Sequence, residues 1–153
     1  MQRKSFGTIL AYGDGETVEE FTKLGQLKDL DGPDMQRGVI DVTHHQSPNG
    51  YVEKLPDLKD GGVVNFDIEL DPALATHDQT TGFMAKFEET GLTNFRLVFP
   101  VAAVIGYWGI AFAGFVKAFK PKAGVKGSLQ ASVSIEVSGK PVLQDIDISG
   151  FYD

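Results

Sequence analysis

The stretch Val64 to Leu70 constrains the fold more than any other. Val64, Phe66, Ile68 and Leu70 alternate with Asn65, Asp67 and Glu69, and Asp71 follows. A period of two places the apolar set on one face of a strand and the acidic set on the other. Ser128 to Val137 repeats the device: Leu129, Ala131, Val133, Ile135 and Val137 alternate with Ser128, Gln130, Ser132, Ser134 and Glu136. Two such strands require a sheet that covers a core on one side and meets water on the other.

Further strands are expected at Phe6–Tyr12, Val39–Thr43, Asn94–Phe99 and Val142–Ile148, with looser alternation over Phe21–Leu30. Tyr107 to Phe119 differs in being apolar or small on both alternating sets. Trp108, Ile110, Phe112 and Val116 fall on one side, and Tyr107, Ala111, Ala113, Phe115 and Phe119 on the other. A strand apolar on both faces is buried on both, and in so small a protein one covering partner is expected to be another subunit. One helix is expected over Ala75–Glu89, capped by Asp78 or Thr80, with Phe83, Met84 and Phe87 inward and Gly91 as its stop. His44 to Leu58 is expected to be a long polar loop, unusual in a small domain without a task for it. The expectation is a mainly β protein of two packed antiparallel sheets, as a sandwich or barrel, with one flanking helix. It forms a single domain over residues 1–153, with arms at about 1–5 and at the C-terminus.

Several functions are disfavoured. The chain has no cysteine, which removes disulfides, thiolate nucleophiles and Cys-ligated metals. Its net charge of −7 gives no electrostatic footprint for gripping nucleic acid. Arg3 and Lys4 are not followed by an apolar run, so no signal peptide is expected. Leu97–Phe119 is broken by Pro100, Gly106, Gly109 and Gly114 and carries Lys117, which suits strands better than a membrane helix. His44, His45 and His77 lack metal-ligand spacing, and no serine lies in a G-x-S-x-G setting. The glycine pairs at Gly13/Gly15 and Gly61/Gly62 complete no phosphate loop, and the acidic pairs Glu19–Glu20 and Glu88–Glu89 suit a solvated surface. No catalytic residue, metal or cofactor is expected.

One run is more specific. Ile40-Asp41-Val42-Thr43-His44-His45-Gln46-Ser47-Pro48-Asn49-Gly50-Tyr51-Val52-Glu53, then Leu58-Lys59-Asp60-Gly61-Gly62 and an alternating strand ending at Asp71-Pro72, resembles the major tail tube proteins of lambda-like long-tailed phages. The resemblance implies a sandwich-type tube fold that assembles as hexameric rings stacked into a tail tube, through which DNA leaves without specific binding. It implies tape-measure and terminator or initiator proteins as partners and the virion tail as location, after synthesis in the bacterial cytoplasm. Some members add an immunoglobulin-like domain; the tube domain alone is expected here.

Within that frame, Tyr107, Trp108, Ile110, Phe112 and Phe115 are the expected contacts around a ring. Ser47, Pro48, Asn49, Gly50, Tyr51 and Val52 are the expected contacts between rings. The bore is expected to be lined either by Asp67, Glu69 and Asp71 or by the face bearing Ser132, Ser134 and Glu136. Rival readings are a ring protein of a type VI secretion or contractile tail system, which shares the fold, and a monomeric β-sandwich binding module. An enzyme ranks third.

Overall fold

The computed structural model describes residues 6–17, 19–78, 82, 84–102 and 106–147; the expected arms, Thr80, Phe83 and Ile148 lie outside them. Nine strands are described: β1 (Ile9–Gly13), β2 (Phe21–Lys23), β3 (Leu27–Asp31), β4 (Gln36–Asp41), β5 (Lys54–Asp60), β6 (Val63–Glu69), β7 (Thr93–Ala102), β8 (Tyr107–Ala123) and β9 (Leu129–Ile146). Seven of them form one antiparallel sheet in the order β2-β1-β7-β8-β9-β6-β3, and β4 and β5 form a separate two-stranded ribbon. The expected mainly β, antiparallel architecture is present, its two sheets very unequal.

The long β8–β9 hairpin is the spine. Its first half pairs β8 with β7, from Thr93 opposite Gly114 to Ala102 opposite Tyr107. Its second half pairs β9 with β6, from Val63 opposite Glu136 to Glu69 opposite Gln130. The sheet is therefore staggered. Among the described residues, β8 has no strand on its outer side beyond Gly114, and β9 has none on its own beyond Val137.

The alternating strands behave as their pattern requires. Val64, Phe66 and Ile68 of β6 meet Ala131, Val133, Ile135 and Val137 of β9 in the core. Leu10, Tyr12, Leu24, Phe95, Leu97, Ile110, Phe112 and Val116 complete it, with Phe95 and Phe112 stacked at 5.5 Å between ring centres. Ile9, Val98 and Ile146 form a smaller cluster on the opposite face, against Tyr107.

The helix is shorter than the sequence pattern suggests. A 3-10 turn at Ala75–His77 ends where Asp78 turns extended, and an α-helix, α1, covers only Met84–Glu88. Among the described residues the run breaks at Asp78; the Gly82 amide donates to the Asp78 carbonyl, and a side chain there would press on Thr76 and Asp78 backbone. No helix among the described residues is long and apolar enough to cross a membrane.

The expected loop also differs. Residues 54–58 belong to β5, so the segment is a hairpin whose tip spans residues 42–53. This hairpin prolongs the β3–β6 pair, in which Asp31 faces Asn65, with Gln36 now facing Asp60. Between the two ribbons the chain bends at Gly32–Pro33, a cis bond, and at Gly61–Gly62. Gly62 has φ +81°, and any side chain on it would run into the Asp34 carbonyl. Only glycine tolerates both conditions.

Candidate functional site

Three surfaces carry the residues expected to function. The first is the outer face of β6 and β9. The two candidate bore linings, posed as alternatives, are one surface: Asp67 lies opposite Ser132 and Asn65 opposite Ser134. The Ser132 hydroxyl donates to the Asp67 carboxylate at 2.7 Å, and that of Ser134 to the Asn65 side-chain oxygen at 2.7 Å. Glu69 sits at the end of this row. The Ser128 hydroxyl and then the Lys28 ammonium, 2.9 Å away, hold its carboxyl below the usual carboxylate range. Asp71 is not in the row: it lies past β6, its side chain accepts from the Ala73 amide, and its own amide donates to Nδ1 of His77.

β8 adds what the sequence reading missed. Lys120 faces Ser132 and Lys122 faces Gln130, while Lys117 reaches the Glu136 carboxylate at 3.4 Å. The face therefore interleaves carboxylates with lysines and hydroxyls, and is not acidic throughout. The signal was present as Lys-x-x-Lys-x-Lys over 117–122, but only the register aligns it with β9.

The second surface is on β8 itself. Ile110 and Phe112 are 5% and 4% exposed and belong to the chain's own core, so their burial needs no neighbour; Tyr107 is half-buried against the second cluster. Trp108 and Phe115 are different, at 38% and 42% exposed. Trp108 stacks on Phe99, with ring centres 5.4 Å apart, and leaves its other face open.

The third surface is the hairpin. Every residue of β4 and β5 is exposed. Ile40 pairs with Leu55, and the neighbouring pair, Val39 with Pro56, falls on the opposite face, so both faces carry apolar side chains. Pro56 is tolerated because β5 is an edge strand of a two-stranded ribbon, and the register shift beside it puts the extra residue of a bulge on β5, where Asp57 and Leu58 lie opposite Gly38. Around the tip, the Asp41 side chain accepts from the Thr43 amide at 2.8 Å, and the Thr43 hydroxyl and amide, as hydrogen-bond partners, hold its carboxyl low. Ser47 donates to Glu53 at 2.8 Å and accepts from the His44 amide, while Asn49 and Gly50 turn the chain with positive φ. The tip is thus internally braced, and it presents Tyr51 and Val52 at 75% and 59% exposure.

The histidines do not converge. His44 faces Glu53 at the tip, whereas His77 is buried, with Nδ1 accepting from Asp71 and Nε2 donating to the Gly25 carbonyl. Among the described residues no group of three or more His, Asp or Glu is placed to hold a metal.

Solved structures share this fold. The tail of an empty gene transfer agent particle, refined with C6 symmetry, is 12% identical over 88% of this chain and 95% of that one, with a TM-score of 0.66. The tail tube of SPP1 is 12% identical over 92% of this chain and 77% of its own, at 0.64. A sheath–tube complex of the extracellular contractile injection system PVC is 10% identical over 95% and 93%, at 0.67. Fold similarity therefore does not separate contractile from non-contractile tubes. No curated protein sequence is similar enough to this one to count as a match. The sequence profile of the lambda phage tail tube proteins matches residues 6–144, and the chain belongs to that family, as a structural protein of the phage tail.

Proposed function

We propose that copies of this chain join head-to-tail into hexameric rings, that the rings stack into a tube, and that the genome passes through it without specific binding. The observation that carries the reading is the hairpin: a two-stranded ribbon with apolar side chains on both faces and, among the described residues, nothing covering either. An isolated hairpin is marginal in water, and exposed apolar surface of this kind marks a protein contact. Ser47, Pro48, Asn49, Gly50, Tyr51 and Val52 at its tip make the contact between rings. Trp108 and Phe115 take the ring contact, since Ile110 and Phe112 serve the chain's own core. The β6–β9 face, with Asp67, Glu69, Ser132, Ser134 and Glu136, lines the bore. Two of its carboxylates are paired with lysines, Glu69 with Lys28 and Glu136 with Lys117, so DNA meets a hydroxylated surface of mixed charge. The role is structural and not enzymatic. Tape-measure and terminator or initiator proteins of the tail complete the set of partners.

Negative-stain electron microscopy of the purified, concentrated protein tests this. Rings with a central hole, or hollow tubes, are expected. Small monodisperse particles at every concentration would overturn the reading.

A further inference from the structure

Where the hairpin bends away from β9 it leaves an apolar groove of about 1050 Å³. Met35 and Leu58 line it from the hairpin side and Leu143 from β9, and its charged lining is Arg37, Lys59 and Lys140 against the single carboxylate of Asp60. Met35, Leu58 and Leu143 are 49%, 85% and 52% exposed, and none of the three cations has an ion-pair partner among the described residues. Apolar floor and mainly cationic lining together fit an occupant that is apolar at its centre and acidic at its edge.

The chain presents such a segment on its other flank. From α1 into β7 run Phe87, Glu88, Glu89 and Leu92, all exposed. Glu89 is shared with Lys86 at 3.2 Å, and no partner is described for Glu88. The register places rim and groove at one level. Thr93, next to Leu92, pairs with Gly114 from one side of the spine, and Val137, in the groove wall, pairs with the same Gly114 from the other. A rotation that sets copies side by side brings one copy's rim toward the next copy's groove, as a heterologous ring contact requires.

We infer that the segment Phe87–Leu92 of one copy docks in the Met35/Leu58/Leu143 groove of its neighbour, with Glu88 and Glu89 facing Arg37, Lys59 and Lys140. This deepens the ring reading and rests on it. The contact is directional, so a ring needs no residue to face its own copy.

Charge reversal tests it on the full chain. Arg37→Glu with Lys59→Glu makes the groove acidic, and Glu88→Lys with Glu89→Lys makes the rim basic. Each variant alone faces like charge with like and is expected to need at least about tenfold more protein to assemble, by light scattering and microscopy. Circular dichroism melts near the wild type's verify folding. An equal mixture of the two, or all four changes in one chain, restores opposite charges at every contact and is expected to recover assembly. Either variant assembling at wild-type concentration overturns this inference and leaves the ring reading standing. Loss without recovery in the combined forms also overturns it. Failure of the wild type to assemble overturns both. Because the chain has no cysteine of its own, Leu58→Cys with Leu92→Cys adds an independent readout. Oxidation is expected to give a covalent ladder of copies, and a chain that stays monomeric under oxidation counts against the contact.

Discussion

Phe112 and Trp108 lie four residues apart on one face of β8 and should answer differently to the same change. Phe112 is sealed in the core against Phe95, so Phe112→Ala should cost about 3–5 kcal/mol in denaturant melts, and Phe112→Asp should prevent folding. Trp108→Asp should leave a folded chain with a nearly unchanged melt and remove assembly, which sedimentation reads directly. Glu69 and Lys28 give a pH signature. The Glu69 carboxyl titrates low in the folded chain, so its contribution is present above the unfolded carboxylate range and fades as pH falls through the folded value. The Lys28 ammonium titrates high, chiefly through its hydrogen bond to Glu69, so its share is present below the unfolded lysine range and fades as pH rises through the folded value. Glu69→Gln should flatten the acid limb of melting temperature against pH by a small amount, because both groups are solvent-screened.

Elements were legible where burial writes a pattern. The alternations at Val64–Leu70 and Ser128–Val137 became β6 and half of β9, since one face of each is core. β5 was missed for the opposite reason: Lys-Leu-Pro-Asp-Leu-Lys-Asp has no buried face, so neither period nor propensity marks it, and Pro56 argues against a strand until the bulge is seen. The helix over Ala75–Glu89 was overextended because apolar spacing does not report that Asp78 turns extended after a single 3-10 turn. The candidate surfaces were legible residue by residue and not as surfaces. Asp67 and Ser132 meet across 65 positions of sequence, and no local rule reports that the two rows share a face. Deleting Ser47 to Val52 should leave the sheet folded, with a circular dichroism spectrum like the wild type's, and yield rings that do not stack. Normal tubes from that variant would remove the tip from the assembly.

For the whole molecule, the sheet joins strands distant in the chain, β1 with β7 and β6 with β9. Such pairing spends loop entropy before it gains contacts, so refolding is expected in milliseconds to seconds in stopped-flow fluorescence of the lone Trp108. The spine is complete within one subunit, so folding and assembly are separable steps: surface variants should change the second without touching the first.

The bend at Gly32–Pro33 and Gly61–Gly62 makes the hairpin a lever with its fulcrum at the sheet. From Gln36 to His44 the arm spans about 26 Å at roughly 3.3 Å per residue, so tilting it by about 10° carries the tip about 5 Å, one strand spacing. Small changes at two glycine steps are thus magnified into a full register at the far end. Gly62→Ala, which strains φ and strikes the Asp34 carbonyl, should mis-aim a hairpin that is itself unaltered. In the tube proposed above, the pitch from one ring to the next would then be governed by the fulcrum and not by the residues that touch.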